Sequence, residues 1–179
     1  TLATVLKERG YATAAFIGAF PLASRFGLAR GFDVYEDSFV DAIPRTPLLE
    51  QERSGAETVA LARRWLDAHA GEPTFAWVHL FEPHAPYAPP EPFASRFAAD
   101  PYAGDVAAAD AALEPLLRPI LAAGAGTVVI LTADHGESLG DHGEATHGVF
   151  AYEATLRVPL ILRAPGIQGA RAIAAPARH

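Results

Sequence analysis

The sequence contains no cysteine, which excludes disulfide bonds and metal sites built from thiolates. No apolar run approaches the roughly eighteen residues that a transmembrane helix needs, so no membrane segment is predicted in it. Basic residues are few: 14 lysines and arginines stand against 21 acidic residues, for a formal net charge of −7. A nucleic-acid or anionic-membrane partner would need clustered basic side chains, so neither is predicted. The 179 residues are 50% hydrophobic, which is enough for one sizeable core.

Both ends of the sequence look interrupted. Thr1 falls within a helical pattern, and the final letters, APARH, directly follow a strand-like segment. We therefore expect residues 1–179 to be an interior slice of one larger domain, incomplete at both ends. The rest of the same chain would then be needed to complete any site.

Short apolar segments alternate with helical patterns along the chain. The predicted strands are residues 13–17, TFAWVHL, GTVVILTA and VPLILRAP. We expect TFAWVHL and GTVVILTA to be buried and to be neighbours in the sheet. Because apolar strands separated by helices are typical of parallel sheets, we predict an α/β fold. Its mostly parallel central sheet would be covered by helices on both faces.

Two helices are marked clearly. Ser54, with Glu57 three residues later, is a capping box and predicts the start of one helix. Apolar positions at helical spacing from Tyr102 predict another. Pro115 and Pro119 lie inside that second pattern and lack the N–H group of the helical ladder, so we expect them to kink or split the helix.

The segment LTADHGESLGDHGEATHG, residues 131–148, concentrates three histidines, two aspartates and two glutamates. Asp134 and His135 follow the predicted strand in GTVVILTA, and Glu82 and His84 follow the one in TFAWVHL. In an open α/β sheet, ligands bind at the carboxyl ends of the strands. The sequence therefore predicts that the two clusters contribute to one site.

Asp134 and His135 are the candidate metal ligands. A carboxylate oxygen and an imidazole nitrogen suit Zn²⁺, Mn²⁺ or, less well for the nitrogen, Ca²⁺. Gly136 is expected to let the backbone turn sharply behind them. In the alternative interpretation, Asp134 caps the following turn and His135 packs beneath it.

His84 is a candidate catalytic histidine. His84 stands in HLFEPHAPYAPP, where the prolines hold the segment extended and could present the imidazole as a proton donor or oxyanion partner. The alternative is a surface turn with an incidental histidine. His79 is expected to be a hydrogen-bonded core histidine, and Asp141 and His142 could simply decorate their loop.

Five segments, in order and with plausible spacing, resemble successive blocks of the sulfatase family, which belongs to the alkaline-phosphatase-like superfamily. They are TLATVLKERGYATAAFIGAF…GFDVYEDSF, FAWVHLFEPHAPYAPP, YAGDVAAADAALEPLL, TVVILTADHGESLGDHG and THGVFAYEATLRVPLILRAPG. The resemblance spans nearly the whole chain. It implies the sulfatase fold and, in the complete protein, a hydrolase that cleaves sulfate esters.

The resemblance also implies roles for residues. Sulfatases hold one divalent cation, usually Ca²⁺, through an early aspartate pair outside this sequence and a later pair that matches Asp134 and His135. Their nucleophile is a formylglycine, also expected outside this sequence. His84 matches the family histidine that contacts the ester oxygens, and His147 stands where a lysine or histidine contacts the sulfate group. The chain alone is therefore expected to be inactive.

Some positions depart from the arylsulfatase pattern. Ala19 and Pro21, in GAFPLAS, replace the expected lysine and histidine of GKWHLG. His135 stands where arylsulfatases have asparagine, and a histidine there is more typical of members that act on phosphonates or phosphodiesters. It also shifts the metal preference towards Mn²⁺ or Zn²⁺. Leu80 occupies the place of an aspartate found four residues before His84 in two-metal relatives, so a single cation is expected.

Three functions follow, in order of preference. The first is hydrolysis of sulfate esters; the second is phosphodiester or phosphonate hydrolysis, or phospho-transfer, on the same scaffold. The third is a non-catalytic binding module. The expected substrate is a small-molecule or glycan sulfate or phosphate ester, with residues 18–50 and the loop after His84 shaping its pocket.

Overall fold

The computed structural model describes residues 1–41, 52–122, 126–167 and 169–173. Pro44 and Pro47 of the predicted irregular segment, and the terminal RH, lie outside these ranges. The chain divides into two compact units, Thr1–Pro119 and Ile120–His179; a single larger domain stays a prediction. Within the described residues, every helix is too short or too polar to traverse a lipid bilayer.

The first unit is built on a parallel three-stranded sheet. In chain order its elements are α1 (Leu2–Lys7), β1 (Ala12–Phe16), β2 (Val34–Glu36), α2 (Gly55–Ala68), β3 (Thr74–Val78), α3 (Phe93–Arg96) and α4 (Pro101–Ala122, whose last residues pass the boundary of the unit). The strand order is β2-β1-β3, and both pairings are parallel. Ala14 faces Val34 on one side and Ala76 on the other. The predicted α/β class is therefore confirmed.

Helix α2 packs on one face of this sheet. Ala14 and Phe16 of β1 are buried against Ala62, and Trp65 and Val78 pack at the margin of the cluster. The two alanines allow the helix to approach the strand closely. The aromatic ring of Phe16 meets Trp65 at a centroid distance of 6.2 Å.

The other face of β1 is buried as well. Ala15 and Ile17 have no exposed surface. Phe32, just before β2, stacks on Phe75 and Trp77 of β3, with centroids 5.8 and 6.2 Å apart. These contacts place aromatic carbon over the middle of the sheet, where burial stabilises most.

Asp33 ties the start of β1 to the segment before β2. Its Oδ2 accepts the N–H of Thr13 at 3.0 Å and lies 2.9 Å from the Thr13 hydroxyl, which also lies 2.9 Å from the Gly31 carbonyl. Lys7 at the end of α1 pairs with the other carboxylate oxygen at 2.6 Å. The contact with Lys7, followed by those with Thr13, lowers the pKa of Asp33 to about 2. One carboxylate therefore links three elements.

Helix α2 begins as predicted. The Ser54 hydroxyl accepts the N–H of Glu57 at 3.3 Å, and the Glu57 carboxylate accepts the Ser54 hydroxyl proton at 2.9 Å. Val59 and Ala62 of this helix are buried and form the expected core-facing stripe.

The long helix was predicted to kink or split at its prolines, and the split does not occur. Helix α4 runs unbroken through Pro115 and Pro119. Pro119 has no N–H to donate to the carbonyl of Pro115, four residues earlier. The Arg63 guanidinium of α2 donates to that carbonyl instead. At this carbonyl a side chain therefore replaces the missing backbone donor.

The second unit contains β4 (Val129–Thr132), α5 (Glu153–Leu156) and β5 (Leu160–Arg163). Strands β4 and β5 pair antiparallel, with Val129 opposite Arg163 and Thr132 opposite Leu160. β3 lies in the first unit and pairs with β1, whereas β4 lies in the second unit, so the expectation that β3 and β4 are neighbouring strands stays a prediction.

The prediction that β4 is a buried strand is wrong. Ile130 in β4 and Leu160 and Leu162 in β5 are each more than half exposed. The described residues place no cover over these side chains. An apolar run indicates that a strand favours burial, but it does not show that another element covers it.

Candidate functional site

Asp134 and His135 lie just beyond the C-terminal end of β4, as predicted. The Nε2 atom of His135 is 3.8 Å from Oδ1 of Asp134, and the same oxygen accepts the backbone N–H of His135 at 3.1 Å. The Nδ1 atom of His135 lies 2.9 Å from the Gly136 carbonyl oxygen. Because a carbonyl only accepts, Nδ1 carries the proton in this bond, which leaves Nε2 on the side of the carboxylate.

Gly136 packs directly against helix α5. Its N–H donates to the Thr155 carbonyl at 2.8 Å. A Cβ atom at this position would stand 2.2 Å from the Ala154 carbonyl oxygen and 2.9 Å from that of Arg157. Its φ is not in the left-handed region. Glycine is therefore required by close backbone approach rather than by the sharp turn that the sequence suggested.

His147 lies beside His135 in the same unit. The two imidazole rings stack, with centroids 4.0 Å apart and planes at 30°. The Nδ1 atom of His147 lies 3.2 and 3.3 Å from the two carboxylate oxygens of Glu137. The structure thus brings Asp134, His135 and His147 to one place, together with Glu137, a carboxylate to which the sequence assigned no role.

The loop that carries His147 is organised from inside. Glu144 is buried, and its carboxylate accepts the N–H groups of Val149 at 2.8 Å and Phe150 at 3.3 Å. The Ser138 N–H donates to the Thr146 carbonyl at 2.9 Å. A buried carboxylate with backbone donors is strongly held, so this loop is a defined element rather than a loose connection.

Asp141 and His142 contact each other at the surface of the same loop. The Nδ1 atom of His142 is 3.1 Å from the Asp141 carboxylate, and the ring stacks on Tyr152 at 3.9 Å. Both side chains are more than half exposed. This arrangement supports the interpretation that they decorate the loop.

His84 is held within the first unit. Its Nδ1 donates to the Ala85 carbonyl at 2.7 Å, and its ring stacks on Phe81 at a centroid distance of 4.0 Å. Glu82, two residues earlier, accepts the N–H of Gly55 through both carboxylate oxygens, at 2.9 and 3.1 Å. The loop is therefore anchored to the N-terminus of α2, where a carboxylate also meets the positive end of the helix dipole.

Other carboxylates crowd the base of this loop. Burial raises the pKa of Asp105, and the Glu82 charge raises it further against a hydrogen bond from Ala88. Burial also raises the pKa of Glu52, with Glu82 and Asp105 adding to the effect.

His79 follows β3 and is hydrogen-bonded, as predicted, but it is only partly buried rather than a core residue. Its Nδ1 accepts the N–H of Gly18 at 3.3 Å, and its ring meets Trp77 edge-on. We assign it no catalytic role.

The predicted meeting of all four site residues spans both units. His84 belongs to the first unit, and Asp134, His135 and His147 belong to the second. Their convergence around one substrate stays a prediction.

Asp134 and His135 fit part of a cation site. One carboxylate oxygen and one imidazole Nε2 suit a divalent metal, and the bond from His135 Nδ1 to a carbonyl is the usual outer contact of a metal-ligating histidine. Among the residues that the structure describes, no group of three or more histidine, aspartate or glutamate side chains is arranged to hold a metal ion. The pair can thus supply two ligands, with the others coming from elsewhere.

Comparison with known proteins places the chain in a family. A model of the sulfatase family matches residues 1–179. No curated protein matches the chain.

Solved structures share the fold at low sequence identity. They include a phosphonate monoester hydrolase of Agrobacterium radiobacter, with 20% identity, a TM-score of 0.69, and coverage of 93% of this chain and 53% of that one. BT4656, solved with its substrate D-glucosamine-2-N,6-O-disulfate, has 18% identity and a TM-score of 0.67, with coverage of 92% of this chain and 55% of that one. The lipoteichoic acid synthase LtaP from Listeria monocytogenes has 17% identity and a TM-score of 0.63, with coverage of 94% of this chain and 47% of that one.

The chain thus spans about half the length of these structures. The fold is that of alkaline-phosphatase-like enzymes, and the family match extends from the first residue to the last. This chain belongs to the sulfatase family.

Proposed function

We propose that the full-length protein is a sulfatase-like hydrolase that cleaves sulfate esters with one bound divalent cation. The observation that carries the proposal is the match of the sulfatase family over residues 1–179. The stacked His135 and His147 rings, with Asp134 beside them, support it, because they concentrate potential cation and oxyanion contacts in one loop.

Each residue has a role in this proposal. Asp134 and His135 would hold the cation, Ca²⁺ by family resemblance and Mn²⁺ or Zn²⁺ by the preference of the imidazole, together with ligands from outside these residues. When bound, the cation would polarise the ester and stabilise charge on its oxygens. His147 would contact a non-bridging oxygen of the ester, and His84 would donate a proton to the leaving oxygen. The formylglycine nucleophile would come from outside residues 1–179.

Hydrolysis of a phosphonate or phosphodiester, or phospho-transfer, is the second candidate. His135, where arylsulfatases have asparagine, favours it, and so do Ala19 and Pro21 in place of two sulfate contacts. Structural neighbours named as a phosphonate monoester hydrolase and a lipoteichoic acid synthase make the same scaffold available for phosphorus chemistry.

Paired substrates test the two candidates. The full-length protein would be assayed on 4-nitrophenyl sulfate and on 4-nitrophenyl phenylphosphonate, with metal content measured by mass spectrometry. We expect one equivalent of cation and a higher kcat/KM for the sulfate. A higher kcat/KM for the phosphonate would establish the second candidate instead. Absence of turnover of either ester with cation bound would favour a non-catalytic binding module.

Variants of the full-length protein test the ligand assignment. Asp134→Asn and His135→Ala should each remove most of the cation and most of the turnover, because each loses one direct ligand. Asp141→Asn and His142→Ala form a matched control, since they alter an aspartate–histidine pair in the same loop. They should retain the cation and wild-type kcat. Retention of the cation by both Asp134→Asn and His135→Ala would contradict the ligand assignment.

The proton-donor role of His84 has its own signature. His84→Ala should leave the cation content unchanged and lower kcat by about a hundredfold, as the loss of a general acid commonly does. The control is His69→Ala at the end of α2, whose ring hydrogen-bonds to the Trp65 carbonyl and stacks on the Trp65 ring of the same helix. Equal kcat for the two variants would reduce His84 to a loop residue.

A further inference from the structure

Glu137 is a buried carboxylate with an unusual partner. Its side chain is 6% exposed. The hydrogen-bond contacts of its two oxygens, among the residues that the structure describes, are with Nδ1 of His147 at 3.2 and 3.3 Å. Burying a carboxylate is costly unless its oxygens are hydrogen-bonded. The Glu137 carboxylate therefore depends on its contact with His147, and the same contact holds the imidazole ring in place.

The contact settles which nitrogen of His147 carries a proton. An ionised carboxylate only accepts, so the hydrogen bond requires a proton on Nδ1. In the neutral ring, Nε2 is then the nitrogen with the available lone pair. The ring is also fixed against rotation, because His135 stacks on its face at 4.0 Å. The Glu137 carboxylate at Nδ1 and the His135 ring on one face together restrict the orientation of the His147 ring.

We propose that Glu137 is a positioning residue that fixes the tautomer and the orientation of His147 towards the ester group. The proposal rests on the proposed function, since His147 acts on the ester there. Glu137 would act like the carboxylate of a catalytic triad, which orients the catalytic imidazole. It would act through the His147 ring and would not touch substrate. The backbone between Gly136 and Ser138 supports this placement, because the Gly136 and Ser138 N–H groups are both bonded to main-chain carbonyls.

The sequence contains a comparison within the same loop. Glu144 is also a buried glutamate, but its carboxylate accepts only main-chain N–H groups among the described residues. Glu144 thus shapes the loop, whereas Glu137 contacts a functional side chain. Removal of Glu137 should therefore affect the imidazole beyond any effect on stability.

Nitrogen NMR of the full-length protein, labelled with ¹⁵N-histidine, tests the tautomer without an assay. Spectra would be recorded at about pH 8, where a histidine with an ordinary pKa is neutral. The His147 signals are those missing from His147→Ala. We expect the wild type to show the tautomer protonated on Nδ1, and Glu137→Ala to show a shift towards the Nε2-protonated form. Glu137→Gln keeps the side-chain volume and can be measured if the alanine variant fails to fold. We expect it to show a smaller shift towards the Nε2-protonated form.

Kinetics then separate positioning from stability. We expect Glu137→Ala to lower kcat/KM about 10- to 100-fold with cation content unchanged, and to have no further effect in a His147→Ala background. Glu153→Ala, an exposed glutamate of the same unit, is the control and should keep the wild-type tautomer and kcat/KM.

The two proposals fail in different ways. An identical His147 tautomer in the wild type, Glu137→Ala and Glu137→Gln would overturn the positioning role. An equal kinetic cost of Glu137→Ala with and without His147 would overturn it too. Absence of turnover by the wild type, with the Nδ1 tautomer still dependent on Glu137, would overturn the proposed function while leaving the carboxylate–imidazole contact established.

Discussion

At the scale of single residues, Gly136 shows what the absence of a side chain permits. The backbone after Asp134 and His135 lies directly on the carbonyl oxygens of α5. Gly136→Ala would place a methyl carbon 2.2 Å from the Ala154 oxygen, which is backbone and cannot rotate away. We expect it to lower the free energy of unfolding by about 3 kcal/mol, the upper range for overpacking, as measured by urea denaturation.

Gly140→Ala is the control for Gly136→Ala. Gly140 has a φ of 94° but no atom within 4 Å of the added carbon, so its substitution tests backbone strain alone. We expect a loss of about 1 kcal/mol. Equal losses at the two positions would show that close approach is not what requires glycine at 136.

Asp33 makes the stability of the first unit depend on pH. Its pKa is lowered to about 2, first by Lys7 and then by Thr13. A carboxyl group with a lowered folded-state pKa stabilises the fold above its unfolded pKa, near 4, and loses that contribution as the pH falls towards 2. Asp33→Asn should remove this part of the pH dependence, about 1 kcal/mol because the group is partly exposed and screened.

Urea denaturation between pH 2.5 and 6 measures this effect. The difference in unfolding free energy between the wild type and Asp33→Asn should be largest at pH 6 and should shrink as the pH falls. Asp110→Asn, at an exposed aspartate of α4, serves as the reference and should show a difference that hardly varies with pH. A constant difference for Asp33→Asn would contradict the assignment.

At the scale of elements, α2 supplies a hydrogen-bond donor to a carbonyl of α4 that a proline leaves without its helical partner. The Arg63 guanidinium bonds the Pro115 carbonyl that Pro119 leaves without a backbone partner. Arg63→Ala should lower the free energy of unfolding by about 1–2 kcal/mol, the cost of losing a charged hydrogen bond.

A second substitution isolates that bond. In Pro119→Ala the helix regains the N–H that serves the Pro115 carbonyl, so Arg63→Ala should cost clearly less in that background. Thermal and urea denaturation of the four proteins of this cycle would give the coupling. Equal costs in both backgrounds would mean that Arg63 stabilises through its pair with Asp67 alone.

The elements were largely predictable where their determinants are local. Ser54 and Glu57 mark the start of α2 through side chains three residues apart, and the short apolar runs at β1 and β3 predict both strands. The exposure of β4 was not predictable, because the sequence around Ile130 does not indicate whether another layer covers the strand. The hydrogen bond to the Pro115 carbonyl of α4 comes from Arg63, more than fifty residues away in sequence, and no local pattern contains such a contact.

The candidate site divides in the same way. Asp134 and His135 are adjacent in sequence, so their proximity required no fold. His147 can stack on His135 only if the loop between them folds back on itself. Glu144 holds that loop in shape by accepting the N–H groups of residues 149 and 150. Glu137 could have been noticed as a carboxylate next to Gly136 in a cluster of histidines, but only the folded loop shows which histidine it contacts.

At the scale of the whole molecule, hydrophobic burial is unequal between the two units. Every buried hydrophobic side chain of the described residues lies within Thr1–Pro119. The buried residues of the second unit are Ser138, Glu144 and Thr155, and the side chain of Glu137 is buried as well; all four are polar. Regions with few buried apolar contacts open at low free energy.

Hydrogen exchange should reveal this difference. In the chain of 179 residues, amides of β1 should exchange only through global unfolding, whereas those of β4 and β5 should exchange at least about tenfold faster through local opening. Mass spectrometry of peptic peptides measures both at once. Peptides of α4 provide an internal reference, and equal protection of β1 and β4 would contradict this order of stability.

The two tryptophans give this inequality a practical consequence. Trp65 and Trp77 both belong to the first unit, the first in α2 beside the core and the second in β3, where it stacks with Phe32. Indole emission will therefore report on only one part of the molecule during a denaturant titration. Loss of order around His135 and His147 would pass unseen in such a curve, and a fluorophore or fluorinated tyrosine at Tyr152 would make it visible.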